Sequence, residues 1–82
     1  GKKMLSRTLS AYVTESTIAE GLSSIQDRYP DVEIGSYPFF RSQRLGTSLV
    51  ARATDAAALD NAAADIKALL LVLTPDIEEE AA

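Results

Sequence analysis

Val32-Glu33-Ile34-Gly35-Ser36-Tyr37-Pro38-Phe39-Phe40 is the stretch on which the fold turns. Val32, Ile34 and Phe40 share one parity, and Glu33, Tyr37 and Phe39 share the other, the period of two expected of a strand. Pro38 has no N–H to give a ladder, so the strand belongs at a sheet edge or carries a bulge near Gly35. Arg41-Ser42-Gln43-Arg44 follows as a hairpin loop. A second alternating run, Leu45 to Thr54, turns Leu49, Ala51 and Ala53 inward and Arg52 outward.

Upstream of this hairpin, Leu5 to Val13 alternates as well. Leu5, Leu9, Ala11 and Val13 share a face with Arg7, opposite Ser6, Thr8, Ser10 and Tyr12. That pattern predicts a strand buried on one side, with Arg7 near a sheet end or laying its stem along the core. Between the strands, Ile18, Leu22, Ile25 and Tyr29 make one helical stripe. Thr14 is one candidate cap; Thr17 with Glu20 has capping-box spacing. Gly21 inside the stripe suits close approach of this helix to the sheet. Pro30 ends the helix at Tyr29.

Downstream, Thr54 or Asp55 caps a second helix, whose stripe runs Leu59, Ala62, Ala63, Ile66, Leu69, Leu70 and Leu73. Pro75 ends it. Cutting Leu69–Leu73 away as a fourth strand is the alternative, but no turn residue separates that run from the helix. The order β-α-β-β-α is that of an α+β two-layer sandwich of split βαβ type, ferredoxin-like or KH-like. Its antiparallel-containing sheet has three strands. Right-handed crossover puts strand three between the other two, the order 1-3-2. Residues 1–75 then form one domain, and 76–82 a disordered acidic tail.

Composition narrows the function. The 82 residues contain no histidine and no cysteine, which removes the commonest general base, the commonest metal ligand and the thiol nucleophile. The absence of Cys also excludes disulfide staples and fits a reducing cytoplasm. The chain carries 12 acids and 8 Lys/Arg; four of the acids lie in the tail, so the body is balanced and has no basic nucleic-acid footprint. Ala68–Leu73 is far too short to span a membrane, and nothing after Gly1-Lys2-Lys3-Met4 reads as a signal peptide. The chain, which does not begin with Met, reads as part of a longer protein.

Candidate chemistry is sparse. Asp27, Asp31 and Glu33 cluster near a loop without the spacing of a calcium site, and Asp55, Asp60 and Asp65 are spread around a helix. A serine nucleophile would need a base, and Lys67 faces solvent. No catalytic, cofactor or metal residue is assigned. What stands out is a surface of aromatics beside arginines: Tyr12, Tyr37, Arg41, Arg44 and Arg52, together with Phe39 and Phe40 unless parity puts one of them in the core. Such a surface serves interdomain contact or single-stranded nucleic acid; the neutral body favours contact.

Three runs carry a family likeness: Ile18-Ala19-Glu20-Gly21-Leu22, Arg28-Tyr29-Pro30-Asp31 continuing into the strand to Phe40, and Gly46-Thr47-Ser48-Leu49-Val50-Ala51-Arg52-Ala53-Thr54-Asp55. Together they resemble the region that follows the molybdopterin-binding-like domain in competence/damage-inducible protein A (CinA)-related bacterial proteins. Eukaryotic FAD synthases carry a similar pair of regions. The resemblance implies that nucleotide or pterin chemistry belongs to the preceding domain, whose Gly-Gly-Leu-Gly-Pro-Thr-type loop is absent here. No catalytic residue carries over. Relatives have been likened to a KH fold, yet the Gly-x-x-Gly clamp is missing, which argues against nucleic acid. The expectation is a cytoplasmic, non-catalytic accessory module without a cofactor, packed on a parent-protein domain or a second copy. A nucleic-acid binder and a small-ligand regulatory domain are the alternatives.

Overall fold

The computed structural model describes residues 2–81. Its order is β1 (Leu5–Ala11), α1 (Glu15–Arg28), β2 (Glu33–Arg41), β3 (Arg44–Ala53), α2 (Ala56–Leu71) and β4 (Glu78–Ala81). The four strands are all antiparallel in the order β2-β3-β1-β4. Both helices cover one face, giving a small α+β fold of the ferredoxin-like β-α-β-β-α-β kind.

β3 lies between β2 and β1, as the crossover rule requires. The expected sheet of three strands is corrected by β4, drawn from residues read as a solvated tail. Its antiparallel register sets Glu79 against Leu9 and Ala81 against Arg7. Glu79 lies on the helix side and pairs with Arg7 and with Lys67 of α2, the latter at 3.5 Å. Glu78 and Glu80 lie on the open side. An acidic run usually stays solvated, but here cations already in place hold it to a strand edge.

Leu9, Leu49, Ile18, Ile66 and Leu70 are fully buried and form the centre of the core, filled out by Ala11, Ala51, Ala62 and Ala63. Small residues on the facing surfaces bring layers close. Gly21 belongs to this set, but against α2, not the sheet: a Cβ there would come 2.6 Å from a Leu69 methyl carbon. Thr47 is the buried polar side chain of the sheet, and its hydroxyl donates to the Val13 carbonyl at 2.8 Å. β1 thus stops at Ala11 while Val13 stays buried.

Local chemistry explains the element ends. Asp55 caps α2, accepting from the N–H groups of Ala57 and Ala58. α1 starts after Thr14, so Thr17 and Glu20 lie inside the helix and form no capping box, and the Thr14 hydroxyl bonds that of Thr17 at 2.7 Å and not a backbone N–H. At the other end of α1, Gln26 joins the helix to β2. Its Nε2 donates to the carbonyls of Tyr29 and Val32, and its Oε1 accepts the N–H of Ile34. β2 is an edge strand in continuous register from Glu33 to Arg41, with no bulge at Gly35.

The hairpin turn is shorter than expected. Arg41 and Arg44 pair as the last rung, leaving only Ser42 and Gln43, at φ 52° and 62°. Two positive φ values make a type I′ geometry, which Asn-Gly accepts far better than Ser-Gln. Replacing Ser42-Gln43 by Asn-Gly is expected to raise stability by about 1 kcal/mol, read as a higher urea midpoint with unchanged m-value.

α1 and α2 are latched at one end by Tyr29, whose hydroxyl donates to Asp65 at 2.8 Å, with Arg28 at 3.1 Å from the same oxygen. The Tyr29 hydrogen bond, then Arg28, holds the Asp65 carboxyl below its ordinary 3.8 against partial burial; the same bond lifts the Tyr29 phenol above 10.0. The latch therefore contributes fully above the ordinary Asp range and fades as pH falls through the lowered carboxyl value. Urea titrations of Asp65→Asn and the parent chain should differ most at neutral pH and converge as pH falls through the lowered carboxyl value.

Candidate interaction surface on the open sheet face

The sheet face away from the helices is not uniform. At the hairpin end, Tyr12, Gly46 and Phe39 form one row across β1, β3 and β2, since Phe39 pairs with Gly46 and Tyr12 follows the β1–β3 ladder. The Phe39 ring lies across Gly46. A Cβ at Gly46 would fall 2.9 Å from the Ala11 carbonyl oxygen and overlap the ring. The Tyr12 and Phe39 rings meet edge to face, centroids 5.6 Å apart at 73°.

Two guanidiniums cover these rings. Arg41 stands 4.2 Å from the Phe39 centroid and 5.9 Å from that of Tyr12, and Arg44 stands 4.1 Å from Tyr12. Arg41 also reaches Glu78 of β4 at 3.7 Å. Arg41 and Arg44 are direct cross-strand neighbours, a like-charge pairing that costs stability unless other groups offset it. The ring faces and Glu78 do so. Between β4 and this cluster lies an open cleft of about 240 Å³ lined by Ser10, Tyr12, Phe39, Arg41, Ile77 and Glu78.

The structure therefore gathers three of the five expected surface residues, Tyr12, Arg41 and Arg44. Tyr37 is on the same face, one rung along β2 from Phe39, exposed and folded back over Gly35. Arg52 is separated from them. It pairs with Glu33 at the opposite end, about 26 Å along β3 from Arg44 at strand spacing. Phe39, left between this surface and the core by the sequence, belongs to the surface, whereas Gly46 and Glu78 were missed as members. Phe39 shares the parity of Tyr37, and a lone glycine inside a strand signals close approach, so both had a readable sign. Glu78 had none, because its place depends on β4.

Phe40 departs most from its expected parity partners. It points to the helix side with Ile34 but lies beyond the helix layer, 65% exposed beside its cross-strand neighbour Leu45 at 60%. Across the whole open face, Arg41, Arg44 and Arg52 are matched by Glu33, Glu78 and Glu80. Among the described residues, no group of acids is placed to hold a metal ion, and no helix is long and apolar enough to cross a membrane.

Gly46→Ala is expected to lift the Phe39 ring and strain the β1–β3 ladder, costing about 2 kcal/mol. Thermal unfolding together with altered ring-current shifts at the neighbouring Leu45 and Thr47 amides would report it.

Solved structures with this shape are distant in sequence. The de novo designed protein Foldit4 superposes with a TM-score of 0.69 at 15% identity, covering 96% of this chain and 91% of that one. Protein SO0527 from Shewanella oneidensis gives 0.61 at 15% identity, covering 100% and 91%. Formyltetrahydrofolate deformylase from Burkholderia mallei gives 0.55 at 15%, with 96% of this chain covering 27% of that enzyme. At such identities the likeness is one of fold alone. No curated protein matches the sequence. Residues 3–74, nearly the whole of the two-layer body, match the middle domain of FAD synthase, and the chain belongs to that family.

Proposed function

We propose that this domain is a non-catalytic assembly module, packing its hairpin end against a neighbouring domain of a longer protein or against a second copy. The carrying observation is the concentration of unpartnered apolar side chains at that end. Phe40 and Leu45 project beyond the helices, and α2, running back from Asp55, ends there in exposed Leu71, Val72 and Leu73, with Val72 at 81%. Exposed apolar groups beside Tyr and Arg are the composition of a contact surface. A family described as a middle domain has neighbours on both sides by that description. The finer relation to CinA-related proteins would make the neighbour a molybdopterin-binding-like domain handling nucleotides or pterins; the run Ile34–Pro38 supports it.

The rival readings find less support in the geometry. Stacking of bases needs free ring faces, and those of Tyr12 and Phe39 are occupied by Arg44 and Arg41. Three glutamates on the same face repel phosphates. A small-ligand role at this end of the open face has a cleft of about 240 Å³ to work with, below the usual range for such sites.

An amide chemical-shift titration of the labelled chain separates the readings. Adding the neighbouring domain is expected to shift residues 37–45 and 71–73, whereas single-stranded RNA at low salt leaves them unchanged. Saturable RNA shifts confined to Tyr12, Tyr37, Arg41 and Arg44 would replace the assembly reading with nucleic-acid recognition.

A further inference from the structure

We infer, building on the assembly reading above, that a second copy of this chain docks edge to edge on β2, the two strands running antiparallel about a two-fold axis at Tyr37. β2 is the free edge of the sheet. The Ile34 N–H points away from β3 to Gln26, so Ile34, Ser36, Pro38 and Phe40 turn their backbone groups outward while the odd-numbered residues bond β3. Gln26 occupies the Ile34 N–H and Pro38 has none. Ser36 and Phe40 supply the remaining outward donors.

These restrictions narrow the register, and the side chains choose it. Centring on Tyr37 sets Ser36 opposite the partner's Pro38, and Phe40 opposite the partner's Ile34. The N–H groups of Ser36 and Phe40 then each meet a carbonyl, and each bond is made twice by symmetry. This requires the Gln26 amide, which bonds the Ile34 N–H from that same side, to swing off the edge and admit the partner's Phe40. Centring on Ser36 instead would set Ile34 against Pro38, which has no N–H to give, and Glu33 against Phe39, with no opposite charge. Centring on Pro38 would set Arg41 against Gly35 and leave Glu33 facing the turn.

Side chains agree with the same register on both faces. On the open face, Glu33 comes opposite the partner's Arg41, an opposite-charge pair formed twice. On the helix side, Phe40 comes beside the partner's Ile34. Ile34 lines a groove of about 310 Å³ between α1 and the β2 edge, with Ile18, Ala19, Leu22 and Ser36. The groove is open, and its apolar part is Ile18, Ala19, Leu22 and Ile34 beside the polar Glu15, Ser23 and Gln26. A phenyl ring is what the partner presents to that apolar part. Ala19 and Ser23 are small on the same helix stripe, so the two α1 helices can approach over the joined edge. An isologous edge of this kind closes on itself and gives a dimer, not a fibre.

The test is a charge exchange read by sedimentation equilibrium of the 82-residue chain. The parent chain is expected to dimerise. Glu33→Arg alone and Arg41→Glu alone each put like charges opposite twice and should weaken the dimer at least about tenfold. An equimolar mixture of the two variants restores both ion pairs and should associate again as a heterodimer. Far-UV circular dichroism and cooperative melting confirm that each variant is folded. As a charge-independent arm, Ser36→Pro removes an outward N–H without touching the β3 ladder and should also leave a folded monomer.

Several outcomes overturn the inference. One is a parent chain that stays monomeric at concentrations NMR requires. Another is a dimer indifferent to the single variants, or a mixture that fails to recover. If the chain is monomeric but a neighbouring domain shifts residues 37–45, the two-fold edge is wrong and the assembly reading stands. If neither partner shifts any residue, both fall.

Discussion

Arg7 sets the terms for the rest of the molecule. It stands on the core-facing row of β1, two residues before the fully buried Leu9, where a guanidinium must be answered by acids. Asp60 of α2 answers at 3.0 Å, and Glu79 of β4 answers from the other side. One cation therefore fastens the helix layer to the sheet and gives an otherwise solvated segment a reason to order. Lys67 adds to Glu79 from α2. A strand of only four residues carrying three glutamates would have little intrinsic tendency to pair. Its position follows from charge, with Ile77 packing against the core just before it.

The hairpin end obeys a different constraint. Its turn holds two non-glycine residues at positive φ, and its first rung sets two arginines side by side. Both features cost stability locally. They are offset by a single arrangement: Gly46 leaves room for the Phe39 ring, the ring meets Tyr12, and each ring takes a guanidinium on its face. Local rules are thus broken together in one place, away from the core, where they do not threaten the fold.

Much of this was legible in the sequence, for identifiable reasons. Strands with alternation and a helix with the stripe Leu59 to Leu70 declare themselves because burial on one side imposes a period. Pro38 announced an edge strand, and β2 is one. The row of Tyr12 and Phe39 was half visible through parity. What could not be read depended on long-range pairing. Arg7, Asp60 and Glu79 are far apart in the chain, and nothing local to Glu78-Glu79-Glu80 distinguishes a strand from a solvated tail. The same blindness spread Arg52 and Arg44 over one imagined surface. Sharing a strand and a face says nothing about being close when eight residues separate them.

The β2 edge joins these threads. Open edges invite indiscriminate pairing, and proteins blunt them with proline, charge or a covering side chain. This edge carries all three, in Pro38, in Glu33 and Arg41, and in Gln26 over the Ile34 N–H. Simple protection would be served best by an edge with no donors and no apolar neighbour. Instead two N–H groups remain outward-facing, a partly apolar groove runs alongside, and an exposed phenylalanine lies further along the same edge. Blunting that removes some registers while leaving one intact is selectivity. The devices that keep β2 from joining arbitrary strands are thus the ones that would let it recognise its own copy.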